Sequence, residues 1–120
     1  MSQTSIPPKQ RLIVALDVPS ATEARALVTE IGDAVHFYKV GLELFTGADG
    51  FGIVDWLTGQ KKNVFVDLKF FDVPATVGRA VSQLQGRGIT FATVHGNDAM
   101  MRSAADAADG VGILAVTVLT

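Results

Sequence analysis

Three charged residues, Asp67, Lys69 and Asp72, are spaced as D-x-K-x-x-D at the end of the apolar run Val64-Phe65-Val66. A carboxylate and an ammonium on a buried strand are costly unless they serve each other or a ligand. Strand side chains alternate faces, so the spacing puts Asp67 and Lys69 on one face and Leu68 on the other. An ammonium fixed in such a place can stabilise negative charge as it develops. The same residues also read as a structural salt bridge, because ion-pair networks are often structural. Lys39, near the end of the earlier run Val35 to Gly41, is the fourth charge. A neighbouring parallel strand lies about 5 Å away, so Lys39 can reach Asp67 and Lys69. The four would form an alternating row of cations and anions, each favouring its neighbours' charged forms. Alone, Lys39 reads equally as a lysine that snorkels from a strand end.

Other polar residues at run ends leave two readings open. Asp17 is either a cap for the following helix or a hydrogen-bond acceptor for a ligand. His95 is either a base or a satisfied structural residue. His36 precedes an apolar run and reads as structural, and Met100-Met101 and the Trp56 region read as core. Gly47, Gly50 and Gly52 do not make a dinucleotide-binding fingerprint, since they do not directly follow a strand and lack the spacing.

The elements that must position these residues alternate along the chain. Strands are expected at Arg11 to Asp17, Val35 to Gly41, Val64 onward, Ile89 to His95 and Gly112 to Thr120. Ser20 and Glu23 have capping-box spacing before a helical face of Ala24, Leu27, Val28 and Ile31, with Gly32 as C-cap. Leu42 to Gly59 reads as a loop before or within a helix. Pro74 is placed to start a helix through Val77, Ala80, Val81 and Leu84, and Asn97 to cap one from Asp98 to about Ala108. Strand and helix thus recur roughly every 25 residues, which argues for right-handed βαβ units and a parallel sheet.

Two folds accommodate that pattern: an open doubly wound sheet, or the first half of a (β/α)₈ TIM barrel, which takes about 250 residues. Polar residues end strand after strand, namely Asp17, Lys39, Asp67 with Lys69, His95 and Thr120, and a barrel gathers such ends on one mouth. The chain also ends inside an apolar strand with no helix to cover it. The expected organisation is a flexible tail at residues 1–10 and an incomplete barrel at residues 11–120, holding four βα units and a fifth strand and truncated at its C-terminus.

Composition narrows the function classes. The 120 residues are 48% hydrophobic, with mean hydropathy +0.34. Fully buried parallel strands explain that apolarity. No apolar stretch is long enough to span a bilayer, and no signal peptide is visible. A net charge of -2 gives no reason to expect nucleic acid or an anionic membrane as partner. There is no Cys, hence no disulfide framework and no Cys-type zinc site. The plain reading is a cytoplasmic protein.

The segment Asp67-Leu68-Lys69-Phe70-Phe71-Asp72-Val73-Pro74-Ala75-Thr76 resembles the signature of the orotidine 5′-monophosphate decarboxylase family, D-L-K-F-H-D-I-P-N-T. Four other segments resemble the family in order: Ala15-Leu16-Asp17, Tyr38-Lys39-Val40-Gly41, Thr93-Val94-His95-Gly96 and Leu114 to Thr120. The likeness runs from about Leu12 to the last residue. Phe71 and Ala75 depart from the pattern, at positions that bear no catalytic charge.

The resemblance implies a barrel that works as a homodimer, without cofactor or metal, on the nucleotide orotidine 5′-phosphate. It implies release of CO₂ and formation of UMP, the last step of pyrimidine nucleotide biosynthesis, by a carboxy-lyase. Lys39, Asp67, Lys69 and Asp72 are then the catalytic residues, with Asp72 reaching in from the other subunit. Asp17 and Lys39 would bind the ribose, Thr76 would serve the partner's site, and Thr120 would lie near the pyrimidine. The family's phosphate-binding Arg belongs to later strands. Two alternatives stand beside this reading: a Mg²⁺-dependent sugar-phosphate decarboxylase or aldolase of the same barrel superfamily, and a truncated module with no activity.

Overall fold

Each apolar run becomes a strand, and each amphipathic stretch a helix that covers it. The computed structural model describes residues 5–120. The elements are β1 (Val14–Ala15), α1 (Ala21–Ile31), β2 (Phe37–Gly41), α2 (Leu42–Gly47), α3 (Gly50–Gly59), β3 (Asn63–Phe70), α4 (Pro74–Ser82), β4 (Ile89–His95), α5 (Asp98–Ala107) and β5 (Gly112–Val116). All strands are parallel, and they lie in the order β1-β2-β3-β4-β5. Each strand therefore lies beside the next in sequence. That is the order of a barrel, and it has no point where the winding reverses, as a doubly wound sheet would.

The helix starts follow their sequence signals. The Ser20 side chain accepts the Glu23 N–H, and the Asn97 side chain accepts the Met100 N–H. Pro74 opens α4 at a position where its missing N–H costs nothing. Gly32 ends α1 at φ +62°, a conformation that suits glycine. Where α4 packs on α5, a Cβ on Gly78 would lie 2.5 Å from Ser103 Oγ, so a larger residue there would displace that hydroxyl from its hydrogen bond to the Pro74 carbonyl.

The strand faces divide cleanly. Tyr38, Val40, Val64, Val66, Ala92 and Val94 are all buried and belong to the core under the helices. By alternation, the opposite face carries Phe37 and Lys39, Phe65 and Asp67, Phe91 and Thr93. That face holds one aromatic layer and, two residues further along each strand, one polar layer.

Several boundaries differ from the sequence expectation. Residues 1–4 of the expected tail lie outside the described residues. Pro8–Gln10 form a 3-10 turn, the Lys9 carbonyl accepts the His36 N–H, and Lys9 Nζ lies 2.6 Å from Asp33 Oδ2. Ordered structure thus begins before Arg11. The first strand is Val14–Ala15 alone, paired on one side only, and Leu12 and Ile13 are exposed. Leu42 to Gly59 forms two helices, broken where Asp49 caps α3 by accepting the Gly52 N–H. β5 ends at Val116, so Thr120 lies beyond the sheet.

Candidate active site

The carboxyl ends of the strands enclose a cleft of about 600 Å³ lined by Asp17, Lys39, Asp67, Lys69, Phe71 and His95, among others. Its size falls in the ~300–1,000 Å³ range of small-molecule sites. Asp67 forms its centre. This carboxylate is only 8% exposed, yet each oxygen has a partner. Oδ2 accepts from Lys69 Nζ at 2.9 Å and faces Lys39 Nζ at 3.6 Å. Oδ1 accepts from the Thr93 hydroxyl at 2.7 Å. Burial pushes the Asp67 carboxyl up. The hydrogen bonds from Lys69 and Thr93, with the Lys69 and Lys39 charges, outweigh that and hold its pKa below the usual carboxylate value.

Register explains how Lys39 arrives. It pairs with Phe65, two residues before Asp67 on β3, and Gly41 pairs with Asp67 itself. The long lysine side chain climbs the difference past a residue that has no side chain. Asp17, just after β1, stands 3.9 Å from Lys39 Nζ and is largely exposed. It lines the cleft and does not cap α1, whose cap is Ser20.

Lys69 reaches its place by a departure from regular strand. Between Val66↔Ala92 and Phe70↔Val94, four residue steps on β3 match two on β4. The surplus is a bulge containing Asp67, Leu68 and Lys69, with Lys69 at φ +49°. Bulges re-aim side chains and gather next to active sites. The Lys69 N–H donates to Thr93 Oγ1 at 3.0 Å.

The remaining site expectations fall elsewhere. Asp72 does not join the row. β3 ends at Phe70, and in the following turn Asp72 accepts the N–H of Val73 at 2.7 Å. It is exposed and lines a separate hollow with Asn97, Ala99 and Met100. Thr76, in the first turn of α4, accepts from Arg79 at 3.2 Å. Thr120 is exposed and lines no part of the cleft, although neighbouring Leu119 does. His95 lines the cleft, and its ring and that of Phe71 make a T-shaped contact with centroids 4.6 Å apart. Phe71 is thus one wall of the cleft, paired with the one strand-end imidazole.

Thr93 was not among the residues expected from sequence. It is one of only two buried polar residues among those described, the other being Asp67. A signal for it exists: three consecutive strands read Phe-x-polar, at Phe37/Lys39, Phe65/Asp67 and Phe91/Thr93.

Chemically, the cleft presents two ammonium groups around one held carboxylate. Such a site can stabilise negative charge and deliver a proton. Among the described residues, no group of three or more His, Cys, Asp or Glu side chains is arranged to hold a metal ion.

Residues 10–120 match the family described as "Orotidine 5'-phosphate decarboxylase / HUMPS family". The chain belongs to this family. An orotidine 5′-phosphate decarboxylase of Methylococcus capsulatus is 62% identical over 120 residues, covering all of this chain and 50% of that protein. Among solved structures, the orotidine 5′-phosphate decarboxylase of Lactobacillus acidophilus superposes with TM-score 0.83 at 38% identity, over 92% of this chain and 54% of that one. The Methanocaldococcus jannaschii enzyme, solved with the inhibitor BMP, gives TM-score 0.73 at 27% identity, over 83% of this chain and 47% of that one. The chain's five parallel strands and their helices are therefore part of the family's barrel architecture, and the chain spans about half the length of the relatives it matches. Among the described residues, no helix is long and apolar enough to cross a membrane.

Proposed function

We propose that the complete barrel to which this chain contributes decarboxylates orotidine 5′-phosphate to UMP and CO₂, as a cytoplasmic homodimer and without metal. The observation that carries the reading is Asp67 held between Lys69 and Lys39 at the strand ends of a chain of this family. Breaking the bond from pyrimidine C6 to CO₂ leaves an electron pair on carbon. The Lys69 ammonium faces that charge in the cleft, stabilises it, and supplies the proton that takes the place of CO₂. Because the ammonium is already fixed by Asp67, little reorganisation is needed at the moment of reaction. Both Asp67 oxygens are engaged by protein donors, which favours the lysines over a metal as the carriers of positive charge.

Asp17 and Lys39 hold the ribose in this reading, and Thr120 approaches the pyrimidine. Asp72 and Thr76 serve the partner subunit's site. Support for that last assignment is the exposure of Asp72 and its position outside its own chain's cleft.

The test is UMP formation by the complete protein, before and after thorough chelation. Undiminished turnover is expected. Activity lost on chelation and restored by Mg²⁺ would indicate the sugar-phosphate type of enzyme, and no UMP formation at all would overturn the reading. Mixing inactive Lys69→Ala and Asp72→Ala subunits checks the dimer: one site of each mixed dimer carries neither lesion, so activity should return.

A further inference from the structure

We infer that Thr93 is a positioning residue, whose hydroxyl locks the Asp67 carboxylate and the Lys69 backbone together and so sets where the Lys69 ammonium stands in the cleft. The inference rests on the decarboxylase reading for its activity test, and on the geometry of the bulge for its structural one.

A hydroxyl has one proton to give and lone pairs to receive. Thr93 uses both kinds of site. It donates to Asp67 Oδ1 at 2.7 Å and accepts the Lys69 N–H at 3.0 Å. Lys69 Nζ then donates to the other Asp67 oxygen at 2.9 Å. The result is a closed circuit from β4 to Asp67, along the Lys69 side chain to its own backbone, and back to β4.

The circuit answers a local problem. The bulge takes Asp67, Leu68 and Lys69 out of the paired register. Lys69 is also held at φ +49°, a region that residues other than glycine seldom occupy and that persists only when the surroundings fix it. Thr93 is 6% exposed, so water does not readily substitute for the hydroxyl. Removing it leaves a buried carboxylate oxygen and a backbone N–H each short of a partner.

The test compares Thr93→Val, which keeps the shape without the hydroxyl, and Thr93→Ala with Thr93→Ser, which keeps the hydroxyl. For the hydroxyl-free variants of the complete protein, kcat should fall about 10²-fold, the loss that follows a misplaced reacting group. KM should change by less than about threefold, because ground-state binding is not what is lost. Thr93→Ser should stay within about threefold of wild type in kcat. A folded hydroxyl-free variant that keeps kcat within about twofold overturns the inference, as does Thr93→Ser failing as badly as Thr93→Val. If neither hydroxyl-free variant folds, the hydroxyl serves folding and the positioning role is overturned.

Hydrogen exchange at the Lys69 amide gives a readout that does not depend on the reaction. Exchange should quicken in Thr93→Val and match wild type in Thr93→Ser, and unchanged exchange in Thr93→Val overturns the inference. Wild type assayed alongside separates the two failures. An inactive wild type refutes the decarboxylase reading, whereas an active wild type with an equally active Thr93→Val refutes only the role of Thr93.

Discussion

Two layers on one face of the sheet, two residues apart on each strand, are built on opposite principles. In the lower layer Phe37 stacks on Phe91 with centroids 5.8 Å apart, and Phe65 meets Phe91 edge-on at 6.2 Å. Those contacts are dispersive and tolerant, and other apolar residues of similar volume could supply much of their energy. In the upper layer Lys39, Asp67 and Thr93 make contacts that name individual atoms, and the loss of one leaves another atom buried and unpartnered. Barrels keep stability at the amino ends of strands and chemistry at the carboxyl ends. Here the change from one to the other takes a single step of the pleat.

If that division is real, the layers should fail in different ways. The largest effect is expected for Lys69→Ala in the complete protein. Its kcat should drop about 10³-fold, the upper end of what one preorganised donor contributes. Binding of a UMP-like inhibitor that carries no charge at C6 should weaken far less, since Lys69 acts mainly on charge that appears in the transition state. Steady-state kinetics together with inhibitor titration would decide this. An unchanged kcat with a raised KM would make Lys69 a binding group and remove the basis of the contrast.

The aromatic layer should answer in stability. Phe91→Ala removes the ring shared by both aromatic contacts and should cost about 3 kcal/mol in denaturant unfolding. Its kcat/KM, measured where the variant remains folded, should stay within about threefold of wild type. A collapse of activity in a stable Phe91→Ala protein would show that the polar layer depends on the aromatic one for its geometry.

The layers also differ in how far the sequence revealed them. The alternation of strands and helices was legible because apolar runs and caps act locally. Ile89–His95 is the strand expected, and Ser20, Asn97 and Pro74 start helices where their chemistry places them. The meeting of Lys39, Asp67 and Lys69 was legible from charge at the ends of adjacent strands. The bulge was not, because surplus residues exist only relative to a pairing partner, and Lys69's positive φ comes with it. Simple alternation therefore predicted the right convergence through a regular strand that is absent. Asp72 could not be located because a turn, unlike a strand, has no period to carry direction forward. The α2–α3 break was hidden by glycines that weaken helical patterning in Leu42 to Gly59. Thr93 was overlooked although its Phe-x-polar register was visible, since a threonine inside a β-branched run reads as an ordinary strand former.

The smallest expected effect lies outside both layers and calibrates them. Asp33, in the turn after α1, is held at a pKa of about 2, first by the hydrogen bond from Lys9 and then by that from His36. Lys9 Nζ lies 2.6 Å from Oδ2, and His36 Nε2 lies 2.7 Å from Oδ1. A carboxylate oxygen only accepts, so His36 Nε2 is the donor. The folded pKa lies below the ordinary value of 3.8, so the unfolded chain binds more protons between the two. The stabilisation is therefore present above about pH 4 and is lost as pH falls through about 2. Asp33 is exposed, so water and salt screen the pair and the contribution is small. Asp67 is also held below its usual value and also weakens the fold in acid. Asp33→Asn leaves Asp67 in place, so the difference between mutant and wild type isolates Asp33. Thermal unfolding midpoints across pH should show wild type above Asp33→Asn at neutral pH, with the gap narrowing toward pH 2 and shrinking in high salt. A gap that does not change with pH would mean that Asp33 acts through packing or its turn and not through charge.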